Sequence, residues 1–421
     1  MRLTFGLALC ATLAAPSVGA VDLRPMIRPA SQPTPQGTAG QDATRQAEVS
    51  EEAIEVAQAT GFELWRTQFR RRALNAGISA RVFDTAFRGV RPNPEVQRLD
   101  RRQAEFTKPI WEYLDTAVSK SRIENGRANY RRLRSTVEGI ERAYGGEASV
   151  VVAVWGMETN YGSYRGNIGV IESLATLAYD GRRQKFAEEQ LIAALRIIQS
   201  GDTSPANMIG SWAGAMGHTQ FIPTSYLSYA QDFTGDGRRD VWGEDPTDAL
   251  ASTANYLKRF GWTYGQPWGI EVRLPQGFNY ALADQKNRKP VGHWRGLGVT
   301  RIDGNRLPNH GQGAIIAPAG ARGPAFLVFN NFRVIKRYNN ATSYAMGVGH
   351  LAARINGRPD FQAPWPRGDR ALSRTEKVEL QRRLTALGFN TKGVDGKIGP
   401  NTISAIRAFQ RQRGLVPDGY A

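Results

Sequence analysis

The 421-residue chain is short of three things. It holds one cysteine, Cys10; it has 38 acidic residues against 55 Lys and Arg; and none of its apolar runs reaches the roughly 18 residues that a bilayer-spanning helix needs. The lone cysteine, so near the start, leaves the rest of the chain without a disulfide framework or a thiol nucleophile. The four histidines, His218, His293, His310 and His350, are far apart and lack metal-ligand spacing, which points to surface or structural roles. A nucleophile elbow, a phosphate-binding loop and a dinucleotide fingerprint are all missing. By elimination, carboxylate acid–base chemistry survives. The scarcity of acids leaves a net charge of +17, and 45 of the basic residues are arginines scattered in short clusters such as Arg70-Arg71-Arg72. Such a balance fits an anionic partner (nucleic acid, an acidic envelope polymer or a membrane surface), and equally an arginine-biased genome.

The start reads as an address. Arg2 is followed by an apolar stretch over residues 3–15 and by the small-residue site Val18-Gly19-Ala20, so residues 1–20 are expected to be a signal peptide. Leu9 before Cys10 argues against lipid modification, and the expectation is a soluble, exported, periplasmic protein without a membrane anchor. Residues 21–58, rich in Pro, Gln, Thr and Gly, form an expected disordered leader. Helical spacing begins with Phe62, Trp65, Phe69 and Leu74 and continues to about residue 260. Residues 263–330 turn Gly- and Pro-rich, with strand-like runs "GIEVRL" and "AFLVF", and are expected to be a small β-rich insertion. Helix returns at 341–355, a linker is expected at 358–370, and residues 371–421 form a small helical module with Pro400 at a helix start. The length suits two or three domains.

Glu158 is the only acidic side chain between Ala148 and Ile171. A helix from about 147 to 159 would be apolar around most of its circumference and therefore buried. A glutamate there is either a structural carboxylate, paired or capping, or a general acid whose pKa desolvation has raised. Burial alone does not choose between these. A second acidic pattern, Asp232, Thr234 and Asp236 with Gly237, follows the start of a calcium-binding EF-hand loop, but its twelfth position is Gly243 rather than Glu. A metal-free Asp/Gly turn is the alternative.

The stretches "DRRQAEF" (100–106), "VAVWGMETNYG" (152–162), "LATLAYDGRR" (174–183) and "GSWAGAMGHTQFIPTSY" (210–226) resemble the B-type lytic murein transglycosylases, in family order, over about residues 60–357. The resemblance implies a mainly α, lysozyme-like catalytic core at 59–357. It also implies cleavage of the MurNAc–GlcNAc β-1,4 bond of peptidoglycan with formation of 1,6-anhydro-MurNAc ends. Glu158 falls on the family's catalytic glutamate, acting as acid and then base, with the substrate's own N-acetyl group in place of a second carboxylate. Ser211, Gln220, Tyr256, Tyr338, Asn339 and Tyr344 fall on substrate-site positions, and Arg182 and Arg183 would meet lactyl or peptide carboxylates. A calcium-binding relative closes its acidic loop with a later aspartate, here Asp248; no cofactor is otherwise required. The segment "VDGKIGPNTISAIRAFQ" resembles the small peptidoglycan-binding domain of wall enzymes, although the chain stops at Ala421, where that family usually continues into another helix. The expected partner is the glycan strand, with no nucleic acid and a monomeric state. Rival readings are a hydrolytic, lysozyme-like enzyme and a non-catalytic wall-binding protein.

Overall fold

The computed structural model describes residues 60–102 and 108–421. The expected signal peptide and leader, and residues 103–107, which include the "QAEF" of the "DRRQAEF" stretch, lie outside the described residues.

The first helices, α1 (60–75), α2 (Ala80–Ala86) and α3 (Pro94–Arg102), form one flank. On α1 the aromatic spacing of the sequence becomes a buried stripe of Phe62, Trp65 and Phe69, with Trp65 stacked on Phe69 and Phe69 meeting the Phe83 and Phe87 rings at a tilt. Helices α4 (Ile110–Ala117), α5 (Lys120–Arg132) and α6 (Arg134–Tyr144) follow, and α5 and α6 pack on α7 (Ala148–Thr159). Every residue of α7 except Met157 is buried. This is what an all-round apolar helix requires, since no face of it gains from water.

Two short strands, β1 (Ile168–Gly169) and β2 (Ile209–Gly210), pair antiparallel across the helical hairpin α8 (Val170–Tyr179) and α9 (Gln184–Ser200). Gly201, at φ 87°, ends α9 in the left-handed cap that glycine adopts at little cost. Helices α10 (Pro223–Tyr229) and α11 (Thr247–Arg259) complete this half.

The expected β-rich insertion is a five-stranded antiparallel sheet. Its strands are β3 (Gly269–Arg273), β4 (Lys289–Pro290), β5 (Thr300–Arg301), β6 (Gln312–Ile316) and β7 (Ala325–Val328), in the order β4-β6-β7-β3-β5. The two strands legible in the sequence pair with each other, Ile270 opposite Leu327. A short helix, α12 (Val291–Gly296), lies between β4 and β5 and buries Trp294, whose indole N–H donates to the Gly313 carbonyl at 2.9 Å. Strand β7 feeds directly into α13 (Asn330–Tyr338), and α14 (Thr342–Ile355) follows and packs along α7. The side chain of Asn331 fixes the start of α13 by bonding the backbone at Thr263 and Gln266. The insertion therefore sets where the tyrosines at the end of α13 and the start of α14 stand.

Residues 358–370, expected as a linker, run along the catalytic body. Phe361 stacks on the His350 ring at 3.8 Å, the Glu271 carboxylate accepts the Gln362 and Ala363 N–H groups, and Arg367 forms a two-pronged pair with Asp115 at 2.6 and 2.9 Å. The last two helices, α15 (Arg374–Ala386) and α16 (Pro400–Gln412), share a small core of Leu384, Ala405 and Ile406. A capping box between Ser373 and Glu376 starts α15. Buried Gln381 supplements this core by holding the Asp395–Thr402 turn through four hydrogen bonds. The final residues fold back, and Asp418 accepts from Gln410 of α16 and from the Ala321 N–H of the catalytic body at 2.8 Å each.

Candidate active site

Glu158 occupies the last turn of α7, and the chain reverses immediately after it. Asn160, Tyr161 and Gly162 all have positive φ (49°, 61° and 81°), so the helix cannot continue. The carboxyl is 6% exposed. Burial pushes its pKa up to about 7; the Tyr344 hydroxyl, donating to Oε1 at 2.5 Å, pulls the other way by favouring the carboxylate. Among the described residues, no Asp or other Glu contributes to this shift. The arrangement is a single carboxylic acid that keeps its proton near neutrality and can give it to a leaving-group oxygen.

Tyr338 closes α13 beside it. Burial, and then the charge of Glu158, raise its pKa, so it stays a neutral phenol, and its hydroxyl donates to the Thr219 carbonyl at 2.6 Å. Tyr256 on α11 packs its ring 5.0 Å from that of Tyr338 and donates its hydroxyl to the Arg337 carbonyl at 2.6 Å. It thus supports Tyr338 from behind. Ser211 Oγ accepts the Ala215 N–H at 3.1 Å, and Asn339 Oδ1 accepts the Ala341 N–H at 3.1 Å, so each holds the loop it sits on.

Gln220 is different. Held at φ 55°, it donates from Nε2 to the Gly217 and Arg165 carbonyls, while its buried Oε1 has no partner among the described residues. A buried, unpaired acceptor is rare, and this one is suited to a donor arriving with a ligand.

Arg182 and Arg183, expected to meet substrate carboxylates, are held by Asp100, which is 2% exposed. Arg182 pairs through Nε at 2.8 Å and Arg183 through Nε at 3.2 Å, and Arg182 Nη2 also donates to the Asp100 carbonyl. The reason is electrostatic: a carboxylate so deeply buried requires a cation, and two arginines at the α8–α9 turn supply it. Asp100 escaped the sequence reading, although it opens the "DRRQAEF" stretch. His218 was assigned no role at the site, yet it contacts α7 directly at Trp155 and Thr159.

In the acidic loop, one carboxylate oxygen each from Asp232, Asp236 and Asp248 converge within 4.8 Å of one another. Asp248, 2% exposed, accepts the Phe233, Thr234 and Asp240 N–H groups; Thr234 Oγ1 donates to Asp232 at 3.3 Å. Burial raises the Asp248 pKa and the charge of Asp232 adds to it, a repulsion that a hard divalent cation would relieve. The donor set fits such an ion.

A buried carboxylic acid with its pKa raised to about 7, bonded by Tyr344 in a helical lysozyme-like body, defines a site for acid–base catalysis. Comparison with known proteins names the family. The chain belongs to the Transglycosylase SLT domain family, whose model matches residues 61–353, and a Putative peptidoglycan binding domain matches residues 373–421. It is 31% identical over 250 residues to the membrane-bound lytic murein transglycosylase B of Escherichia coli, a match covering 58% of this chain and 66% of that protein. The solved structure of SltB3 from Pseudomonas aeruginosa in complex with NAG-anhNAM-pentapeptide is similar with a TM-score of 0.83 and 53% identity, covering 86% of this chain and 96% of that one. The Escherichia coli lytic transglycosylase Slt35 in complex with calcium is similar with a TM-score of 0.61 and 28% identity, over 69% of this chain and 92% of that one.

Proposed function

We propose that this chain is a peptidoglycan lytic transglycosylase in which Glu158 serves as acid and then as base. Protonated Glu158 gives its proton to the glycosidic oxygen between MurNAc and GlcNAc, and the bond from that oxygen to MurNAc C1 breaks. The carboxylate so formed takes the proton of the MurNAc C6 hydroxyl as O6 attacks C1. A 1,6-anhydro ring closes, the glutamic acid is regenerated, and no water is consumed. One residue suffices because the first step leaves it in the form the second needs. The observation that carries this reading is the carboxylic acid raised to about 7 on which, among the described residues, no second carboxylate acts, where ordinary glycosidases use a pair.

Tyr344, Tyr338 and Asn339 orient the acid and flank the sugar, Tyr256 and Ser211 hold that shelf in place, and the free Oε1 of Gln220 receives a donor of the substrate. Arg182 and Arg183 act chiefly through Asp100. Residues 1–20 direct export to the periplasm, where the basic surface meets the carboxylates of the wall. No helix among the described residues is long and apolar enough to cross a membrane. Asp232, Asp236 and Asp248, with Thr234, hold a calcium ion that stabilises the loop.

The test is mass spectrometry of soluble products from purified peptidoglycan treated with the wild type and with Glu158→Gln. Anhydro-muropeptides from the wild type alone support the reading. Products one water heavier identify a hydrolase, and an inert wild type that still binds the wall identifies a binding protein.

A further inference from the structure

His218 touches Thr159, the residue that follows the acid, and directly precedes Thr219 and Gln220 in the chain. Its carbonyl accepts from Thr159 Oγ1 at 2.6 Å, and Thr159 Oγ1 in turn accepts the Gly162 N–H at 3.0 Å, closing the turn that ends α7 just after Glu158. Its own N–H donates to the Val241 carbonyl at 2.9 Å. Thr219, next in the chain, supplies the carbonyl that fixes Tyr338, and Gln220 follows.

The imidazole ties the same pieces together. Trp155 Nε1 on α7 lies 3.1 Å from Nδ1, and the Gly243 carbonyl lies 2.8 Å from Nε2. An indole N–H can only donate, so Nδ1 must be the unprotonated acceptor and Nε2 must carry the proton. Arg165 Nη1 lies 3.1 Å from Nε2, but it too can only donate, and it bonds the Gly243 carbonyl at 2.6 Å instead. Only the neutral ring satisfies every partner. Gly162 leaves room for it, because a β-carbon there would come within 2.6 Å of Nδ1.

We infer that His218 is a positioning residue for the acid–base step, holding Glu158 and the Thr219–Gln220 loop in register through its neutral Nε2–H tautomer. The inference rests on the reading of Glu158 as the acid. Protonation of the ring would turn Nδ1 into a donor facing the Trp155 N–H, break that contact and loosen the turn after Glu158. The charged groups that face the ring are Arg165, Glu244 and Asp240. Burial chiefly, with Arg165, holds its pKa below the usual 6.5, while the Gly243 carbonyl and the two acids oppose this. The neutral ring is therefore the resting form at neutral pH, and the device fails only on the acid side.

The test measures anhydro-muropeptide release by the full chain from about pH 5 to about pH 8, for the wild type, His218→Phe and His218→Asn, with thermal melting of each. Asn keeps an acceptor near the Nδ1 position but cannot titrate. The expected results are a fall in kcat of about 10- to 100-fold for His218→Phe with KM changed less than about threefold, and an intermediate kcat for His218→Asn. The acid limb of the wild-type profile should vanish in His218→Asn. Unchanged kcat in His218→Phe, equal losses in both variants that follow melting temperature, or an acid limb that persists in His218→Asn would each overturn the inference. Where His218→Phe does not fold, the His218→Asn profile decides. An inactive wild type would instead sink the transglycosylase reading, a separate outcome.

Discussion

Tyr344, in the first turn of α14, donates its hydroxyl to Oε1 of Glu158 across 186 residues of sequence at 2.5 Å. Two opposing forces meet at that contact. Burial holds the proton on the carboxyl, and the phenol favours its release. The balance, about 7, lets one group act as acid first and base second near neutral pH.

Tyr344→Phe removes the force that lowers the pKa. The Glu158 pKa should then rise above its wild-type value of about 7. Because the reaction begins from the protonated acid, the alkaline limb of kcat should move to higher pH, while kcat itself falls by about tenfold through lost orientation. A pH–rate profile checks this, and an alkaline limb that stays in place would show that the phenol does not set the acid.

Glu158→Gln should stabilise the fold as it abolishes anhydro products. The folded pKa is raised above the ordinary 4.5, so the folded state holds a proton that the unfolded chain releases. Stability is therefore lost as pH rises from about 4.5 toward about 7 and stays lost above that. The loss is on the order of 3–4 kcal/mol, since each pKa unit is about 1.4 kcal/mol. Urea melts at about pH 4 and about pH 8 should show the variant's advantage at the higher pH only. Equal advantages at both would mean that the gain is unrelated to ionisation.

Asp100→Ala should destabilise by about 1–3 kcal/mol, because it removes the carboxylate that ties down two partly exposed arginines. If Arg182 and Arg183 act through Asp100, each Arg→Ala variant should weaken the fold and leave KM for peptidoglycan nearly unchanged. A large rise in KM with full stability would return the two arginines to direct substrate contact. Chemical denaturation and kinetics on the same samples separate the outcomes.

Glu158 was visible in the sequence because an unbroken apolar run carries its own evidence of burial, and a carboxylate inside one is anomalous whatever the fold. The strands β3 and β7 were visible for the same local reason. What was hidden was partnership across long separations. Nothing near Arg182 announces Asp100, 82 residues earlier, and nothing near His218 announces Trp155, 63 residues away. Composition also hid the path of residues 358–370. The sequence marks only a linker there, whereas Phe361, Trp365 and Arg367 find partners on Phe326, Trp111 and Asp115 once the body has folded. The substrate residues, by contrast, became legible only through resemblance, since a tyrosine that packs and a tyrosine that holds sugar look alike in a sequence.

The acidic loop yields the last prediction. Calcium added to the metal-free protein should raise its melting temperature by several degrees, since a ligand that binds only the folded state stabilises it by mass action. Magnesium should do less, because it demands a tighter octahedral shell than three aspartates on a loop provide. Asp236→Asn should reduce the calcium response while leaving metal-free stability nearly intact, because the Asp236 carboxylate is exposed and accepts only the Arg238 N–H of its own turn. Asp248→Asn should lower stability even without metal, since that carboxylate caps the Phe233, Thr234 and Asp240 N–H groups. A melting temperature indifferent to calcium and to chelator would identify the loop as a metal-free turn, held by the backbone N–H groups that Asp232 and Asp248 accept.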